Sequence, residues 1–200
     1  MTELLVVLAV IATLISIGFP VYRTVLEKSK ATADLSNLRQ LGLATRAFTA
    51  DYNCLMEAPW PTSLNPVYLA DWKTFQSPFD RRPPSDNPEK TPVSYDLNGN
   101  LWGLRPLQIA SASACILFSP LLADPEGLNF TGTAWQPSTP EPLSIKSCWQ
   151  MDKGGTHDGG SEINVIFCDL HAASISMAEF HSARPNPDTA SPISDLRWNR

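Results

Sequence analysis

Basic charge is what this 200-residue sequence has least to spare: fifteen lysines and arginines stand against twenty aspartates and glutamates, for a net charge of −5, and no basic block occurs anywhere. Phosphate backbones are held by clustered Lys and Arg, so nucleic-acid binding is not suggested. Glycine is also sparse, ten residues against eighteen prolines, and all the prolines but Pro20 lie beyond residue 58. Proline fixes φ and removes a backbone donor, so that part of the chain is expected to be rich in extended loop. No phosphate-cradling glycine loop, Ser-His-Asp spacing or pair of catalytic carboxylates occurs, and the expectation is a protein that is not an enzyme. Only four cysteines are present, Cys54, Cys115, Cys148 and Cys168, and their spacing resembles no zinc motif. They allow two disulfides in any of three connectivities, or free buried thiols.

What the chain does have is a long apolar run at its start. From residue 4 to residue 19 the only polar side chains are Thr13 and Ser16, both able to hydrogen-bond back to a helix backbone in an apolar medium. This run falls slightly short of the usual spanning length of about 20 residues. One carboxylate, Glu3, precedes Leu4, Leu5, Val6 and Val7. At a helix N-terminus it gains from the macrodipole, and it either sits at a headgroup interface or pairs with a positive group on another copy of the chain. After Gly18 and Pro20 the pattern resumes as Val21, Tyr22, Val25, Leu26, Ser29, Ala33, Leu38, Leu41, Ala44, Phe48 and Tyr52. Spacings of three and four give one apolar face, with Arg23, Glu27, Lys28, Lys30, Asp34, Arg39, Gln40 and Arg46 expected on the solvated face. One helix from Leu4 to Tyr52 would be about 75 Å long at roughly 1.5 Å per residue.

The order of Glu3, Leu4, Leu5, Val6 and Val7, an Ala/Ile-rich segment and then Pro20 resembles the N-terminal helix of type IV pilins and type II secretion pseudopilins. That resemblance implies a filament subunit. The family's near-terminal Glu, matched by Glu3, helps recruit the next subunit by pairing with a neighbour's terminal amine, and its helix-softening Pro, matched by Pro20, marks a region that can unwind in the filament. Aligned on Glu3, this sequence starts two residues short of the family's N-methylated Phe and shows no basic leader, which leaves the true first residue and its methylation open.

Further on, residues 54–66 read as a turn-rich connector in which Trp60 is expected to pack on the helix. Residues 67–72 read as a short helix or strand, residues 93–97 as a strand entering a turn at Asn98, Gly99 and Asn100, and residues 115–118 as a buried strand. The stretch 124–142 reads as loop, and its sequon at Asn129 is given no role. Residues 163–168 and 171–177 read as a hairpin around a two-residue turn, Asp169 and Leu170, although Leu170 suits the positive φ of a type I′ turn poorly. The pieces Ser77, Pro78, Phe79, Asp80, then Ser94, Tyr95, Asn98, then His157, Gly159, Gly160, Asn164, Val165, Phe167, Asp169 and His171 resemble the heads of pilin-like proteins of planctomycete and verrucomicrobial genomes. In that group these segments imply a structural role. His157, Asp158, Cys168, Asp169 and His171 are the one cluster of catalytic or metal-binding types, and a structural role is expected for them too. A Ca²⁺ held by loop carboxylates such as Asp152 and Asp158 is the only cofactor considered, by analogy with some pseudopilins.

The expectation is therefore an α+β, pilin-like chain: a long N-terminal helix over residues 1–53, with 1–20 in membrane or filament core, a loop-rich antiparallel β-sheet head over 54–181, and a polar tail over 182–200. Expected partners are copies of itself in a helical homopolymer, the bacterial inner membrane before assembly, and a pilus or secretion assembly machinery. The end state would be a surface or extracellular filament or a periplasmic pseudopilus. The competing reading is a membrane-anchored binding module or adhesin that uses the tryptophans of its head.

Overall fold

The computed structural model describes residues 2–56, 60–80, 82–83, 92–120, 122–124, 129–130 and 155–181. Its first element, α1 (Thr2–Tyr52), runs unbroken for 51 residues, straight through Pro20. It stops where an asparagine takes over: Asn53 has φ 56, and its N–H still reaches Thr49 O at 2.8 Å. A left-handed residue just past the last turn is a common helix end, and Asn tolerates it better than other side chains that carry a Cβ. The two halves of α1 differ. Every residue from 3 to 26 is exposed, whereas Asp34, Leu38, Leu41, Gly42, Ala44 and Thr45 are buried against the head. The apolar face expected from the sequence is thus found over Leu38, Leu41, Ala44 and Phe48, while Tyr52 at its end is exposed and the phase of the face is corrected further up. Ala33 faces out and Asp34, expected on the solvated side, is 0% exposed.

The head begins with a short helix, α2 (Trp60–Leu64), and a 3-10 turn at Trp72–Phe75, so residues 67–71 are neither helix nor strand. Asp71 starts that turn by accepting the Lys73 N–H on its carboxylate at 2.9 Å. Strands follow at β1 (Tyr95–Leu97), β2 (Ile116–Pro120), β3 (Leu122–Asp124), β4 (Asn129–Phe130), β5 (Glu162–Phe167) and β6 (Ala172–Ser176), and the last described turn of chain is α3 (Met177–His181). Four of the strands form one antiparallel sheet in the order β1-β2-β5-β6, while β3 and β4 pair separately. Together with the long helix this is an α+β fold. The loop expected over 124–142 contains at least the short β4, and the tail beyond His181 lies outside the described residues.

Strand alternation decides what the sheet presents to each side. Ile163, Val165 and Phe167 of β5 join Phe79, Ile116, Ile175, Met177 and Phe180 in one cluster. Asn164 and Ile166 point the other way, toward α1, where Ile166 packs with Leu38, Leu41, Trp60, Phe75, Tyr95, Leu117 and Phe118. Trp60 is 4% exposed within this second cluster, as expected. Each fully buried Leu or Phe contributes about 1.5–3 kcal/mol of burial free energy, and this shared core ties the helix to the sheet. Gly42 permits the close approach: a Cβ there would lie 2.4 Å from Ile166 Cδ1 and 3.3 Å from Leu170 Cδ2.

The β5–β6 hairpin is present, with Glu162 opposite Ser176 and Ile166 opposite Ala172. Its turn is one residue longer than expected. Phe167 N–H donates to His171 O at 3.0 Å and Leu170 N–H to Phe167 O at 2.9 Å, leaving Cys168, Asp169 and Leu170 in the loop. Leu170 has φ 72. Three-residue hairpin loops place a left-handed residue last, so the positive φ moves to the loop's third position and Leu170 bears it while packing on the core.

Candidate functional site

The free half of α1 is the largest exposed apolar surface among the described residues. Leu4, Leu5, Val6 and Val7 stand in the open at its end, with Glu3 in the first turn, and Leu8, Val10, Ile11, Leu14, Ile15, Ile17 and Phe19 continue the surface. This helix is long and apolar enough to cross a membrane. Its polar groups turn inward on the backbone: Thr13 Oγ1 donates to Val10 O at 2.7 Å and Thr24 Oγ1 to Pro20 O at 3.2 Å. In hydrocarbon an unmet hydroxyl would be costly, and this arrangement avoids it. The run ends where the guanidinium of Arg23 lies 4.4 Å over the Phe19 ring, an apolar-to-charged boundary of the kind found at a membrane surface.

Where the helix meets the head, three distant segments converge on Asp34. Ser77 Oγ and Tyr95 OH both donate to Asp34 Oδ1, at 2.5 and 2.6 Å, and Asn164 Nδ2 donates to Oδ2 at 2.9 Å. Asn164 Nδ2 also reaches Ala31 O at 3.0 Å, and Asn37 Nδ2 on the same helix donates to Gln76 O. Burial pushes the Asp34 carboxyl above its ordinary range despite the three donors, and the proximity of His157 opposes that rise. The same burial, reinforced by the Asp34 charge, pushes the Tyr95 phenol well up. The result is a polar clasp: one carboxylate on α1 held by one residue each from the 77–80 turn, from β1 and from β5.

The remaining motif residues lie around the clasp. Asp80 makes a two-pronged contact with Arg82, at 2.9 and 2.6 Å from Oδ2, and accepts from Ser94 Oγ at 2.6 Å, closing the loop that carries Ser77. Asn98 donates to Ile116 O at 3.0 Å and accepts the Asn100 N–H, fixing the turn after β1. Trp60 Nε1 donates to Asp96 Oδ1 at 3.0 Å, and burial raises the Asp96 carboxyl to about 7. The structural role expected for the head motifs is therefore given a physical form, and Ser77, Tyr95 and Asn164 are brought together although their segments are far apart in sequence.

The His/Cys/Asp cluster is not assembled as a centre. His157 is held by Thr156 Oγ1 at Nδ1, 2.9 Å, and by Ser174 Oγ and Glu162 Oε2 at Nε2, 2.8 and 3.3 Å, with the Phe79 ring stacked on it. His171 instead stacks on Phe167 at the turn and pairs with Asp169. The Ser174–His157 contact is not a nucleophile–base–acid chain, because the carboxylate of Glu162 lies on the serine side of the ring and Nδ1 faces a hydroxyl. Asp158 bonds Ser161 Oγ at 3.0 Å, Asp152 lies outside the described residues, and no group of three metal-ligating side chains occurs among those described. Cys54, Cys115 and Cys168 are free thiols, and Cys148 lies outside the described residues.

Sequence reasoning missed Asp34 itself. The available signal was its spacing: residues 31, 34, 38 and 41 share a face, and a lone acid among small and apolar neighbours there marks a buried partner rather than a solvated one. Comparisons with protein-family models, with curated proteins and with solved structures gave no match for this chain.

Proposed function

We propose that the chain is a structural subunit of a helical filament, of the type IV pilus or type II secretion pseudopilus kind, that polymerises through the free half of α1. One observation carries this reading: residues 3–26 of α1 stand fully exposed and overwhelmingly apolar while the rest of the same unbroken helix is locked to a folded head. A segment of this kind suits two surroundings in turn. In the inner membrane residues 4–19 lie in lipid. In a filament the same surface packs on copies of itself, and since lipid and packed side chains are similarly apolar, the transfer costs little. Glu3 then gives the register by pairing with a neighbour's positive terminus, and head-to-tail contacts repeat without closing into a ring. The heads form the outer surface, on the cell exterior for a pilus or in the periplasm for a pseudopilus.

The test is the Glu3→Ala chain expressed with its assembly machinery. Membrane-inserted monomer should persist while sheared filaments seen by electron microscopy fall at least tenfold, and unchanged filament yield defeats the pairing step. Cells making the unaltered chain that carry only anchored monomers, with no filaments at all, would support a surface binding module instead.

A further inference from the structure

Cys115 and Cys168 flank the central strand pair at one end. Ile116 of β2 lies opposite Phe167 of β5, so one step further along each chain puts Cys115 opposite Cys168. That opposition is present, since Cys168 N–H donates to Cys115 O at 2.9 Å. Both side chains fall on the α1 side of the sheet, where Cys115 is fully buried in the core cluster and Cys168 packs against it. Directly opposed antiparallel residues have Cα atoms about 4.5–5.5 Å apart, inside the roughly 4.4–6.8 Å that a disulfide spans. The neighbouring Cys115 side chain, with burial, pushes the Cys168 thiol well up. Cys54 lies on the connector after α1, where its neighbour Leu55 donates its N–H to Leu104 O.

We propose that Cys115 and Cys168 are a disulfide site, closed by thiol–disulfide exchange into a cross-strand bond that locks β2 to β5 beneath the helix. Cys168 is the attacking group, because it is half-buried and lines a cavity of about 380 Å³ between the hairpin turn and residues 45–50 of α1, whereas Cys115 is enclosed. The Cys168 thiolate attacks one sulfur of a small or protein disulfide and releases the other as a thiol. The Cys115 thiolate then attacks the mixed bond at Cys168 and expels the second thiol. Two protein thiols are oxidised, the reagent disulfide is reduced to two thiols, and two protons are transferred with them. Formation in the cell rests on the head lying outside the cytoplasm, as the filament reading requires; closure of the pair does not.

The experiment uses the full chain in detergent, reduced and then incubated for hours with excess glutathione disulfide at about pH 8.5, where the thiolate fraction of any thiol is larger than at neutral pH. The protein is next unfolded in the presence of a maleimide, digested and weighed. The expected product joins the peptides of Cys115 and Cys168, about 2 Da lighter than the two reduced peptides together, with Cys54 alkylated. The linked species disappears in both Cys115→Ala and Cys168→Ala. Alkylation of both thiols after oxidation, a stable glutathione adduct at Cys168, or linkage of either residue to Cys54 or Cys148 overturns the proposal. Protein taken from cells under acid quench separates the two ideas: a pair that closes in vitro yet is reduced in the cell upholds the site and counts against export of the head.

Discussion

Removing the Asp34 carboxylate tests whether the polar clasp, rather than apolar packing alone, holds the helix to the head. Asp34→Ala strips the acceptor from three donors at once, on Ser77, Tyr95 and Asn164, which are 1%, 0% and 0% exposed. Each buried donor left unmet costs about 1–3 kcal/mol. Asn164 Nδ2 retains its bond to Ala31 O, and removing a buried carboxylate returns part of its desolvation cost. The net loss should be about 3–4 kcal/mol, in the range found when one partner is removed from a buried charged arrangement. For a domain of this size that corresponds to a fall in melting temperature of about 10 °C. Asp34→Asn keeps an acceptor for Ser77 and Tyr95 but turns an amide donor on the Asn164 amide, and should cost about 1–2 kcal/mol. The assay is urea unfolding of the full chain in detergent, followed by tryptophan fluorescence, with amide exchange to locate the change. Protection should fall first in the docked half of α1. Asp51→Ala, at an exposed carboxylate that accepts from Tyr68 OH, serves as a control and should cost little. A loss below about 1 kcal/mol for Asp34→Ala, or protection lost evenly over the sheet, would refute the reasoning.

Two further outcomes follow from the same packing. Asp96 has its carboxyl raised from 3.8 to about 7 by burial, so the folded state holds its proton more tightly than the unfolded chain does. Stability from this group is then fully present below about pH 4 and is lost as pH rises through about 7; Asp34, raised for the same reason, adds to the decline. In Asp96→Asn the fall in stability between those limits should shrink by as much as about 4 kcal/mol, from roughly 1.4 kcal/mol per pKa unit, and an unchanged pH profile by denaturant titration contradicts the assignment. Gly42→Ala should destabilise the chain by about 1–2 kcal/mol, because its Cβ meets the enclosed Ile166 Cδ1 at 2.4 Å. In an Ile166→Val background, where that methyl is gone, the same change should instead gain about 1 kcal/mol from helix propensity, and a double-mutant cycle with no sign change rules out the contact as the cause.

The helix and the hairpin were legible because both rest on long, regular patterns. Leu38, Leu41, Ala44 and Phe48 recur at helical spacing, and residues 163–167 are strand formers interrupted only by Asn164, with partners close by in sequence. The clasp was not legible for the converse reason. Asp34 meets residues 43, 61 and 130 positions away, and a charged residue on an amphipathic helix is assigned to solvent unless those partners are known. Local chemistry overrode pattern at two other places. The Asp71 side chain captures a backbone N–H and starts a 3-10 turn at Trp72, and Leu170 accepts a left-handed conformation to complete a three-residue loop. The motifs of the head were recognisable as words before their shared partner was known; Tyr95 and Asn164 acquire a common purpose only once α1 lies across the sheet.

The unbroken passage of α1 through Pro20 makes the helix a lever. Twelve residues separate Phe19, at the end of the apolar run, from Ala31, the first point gripped by β5 through Asn164. At about 1.5 Å per residue the head is carried about 18 Å beyond the apolar run. A rigid arm converts rotation into displacement: with the apolar run in a bilayer, as proposed, a tilt of about 20° would swing the point of grip sideways by about 6 Å, without any change inside the head. On the filament reading proposed above, orientation of the shaft in lipid would set where the heads of neighbouring subunits first touch.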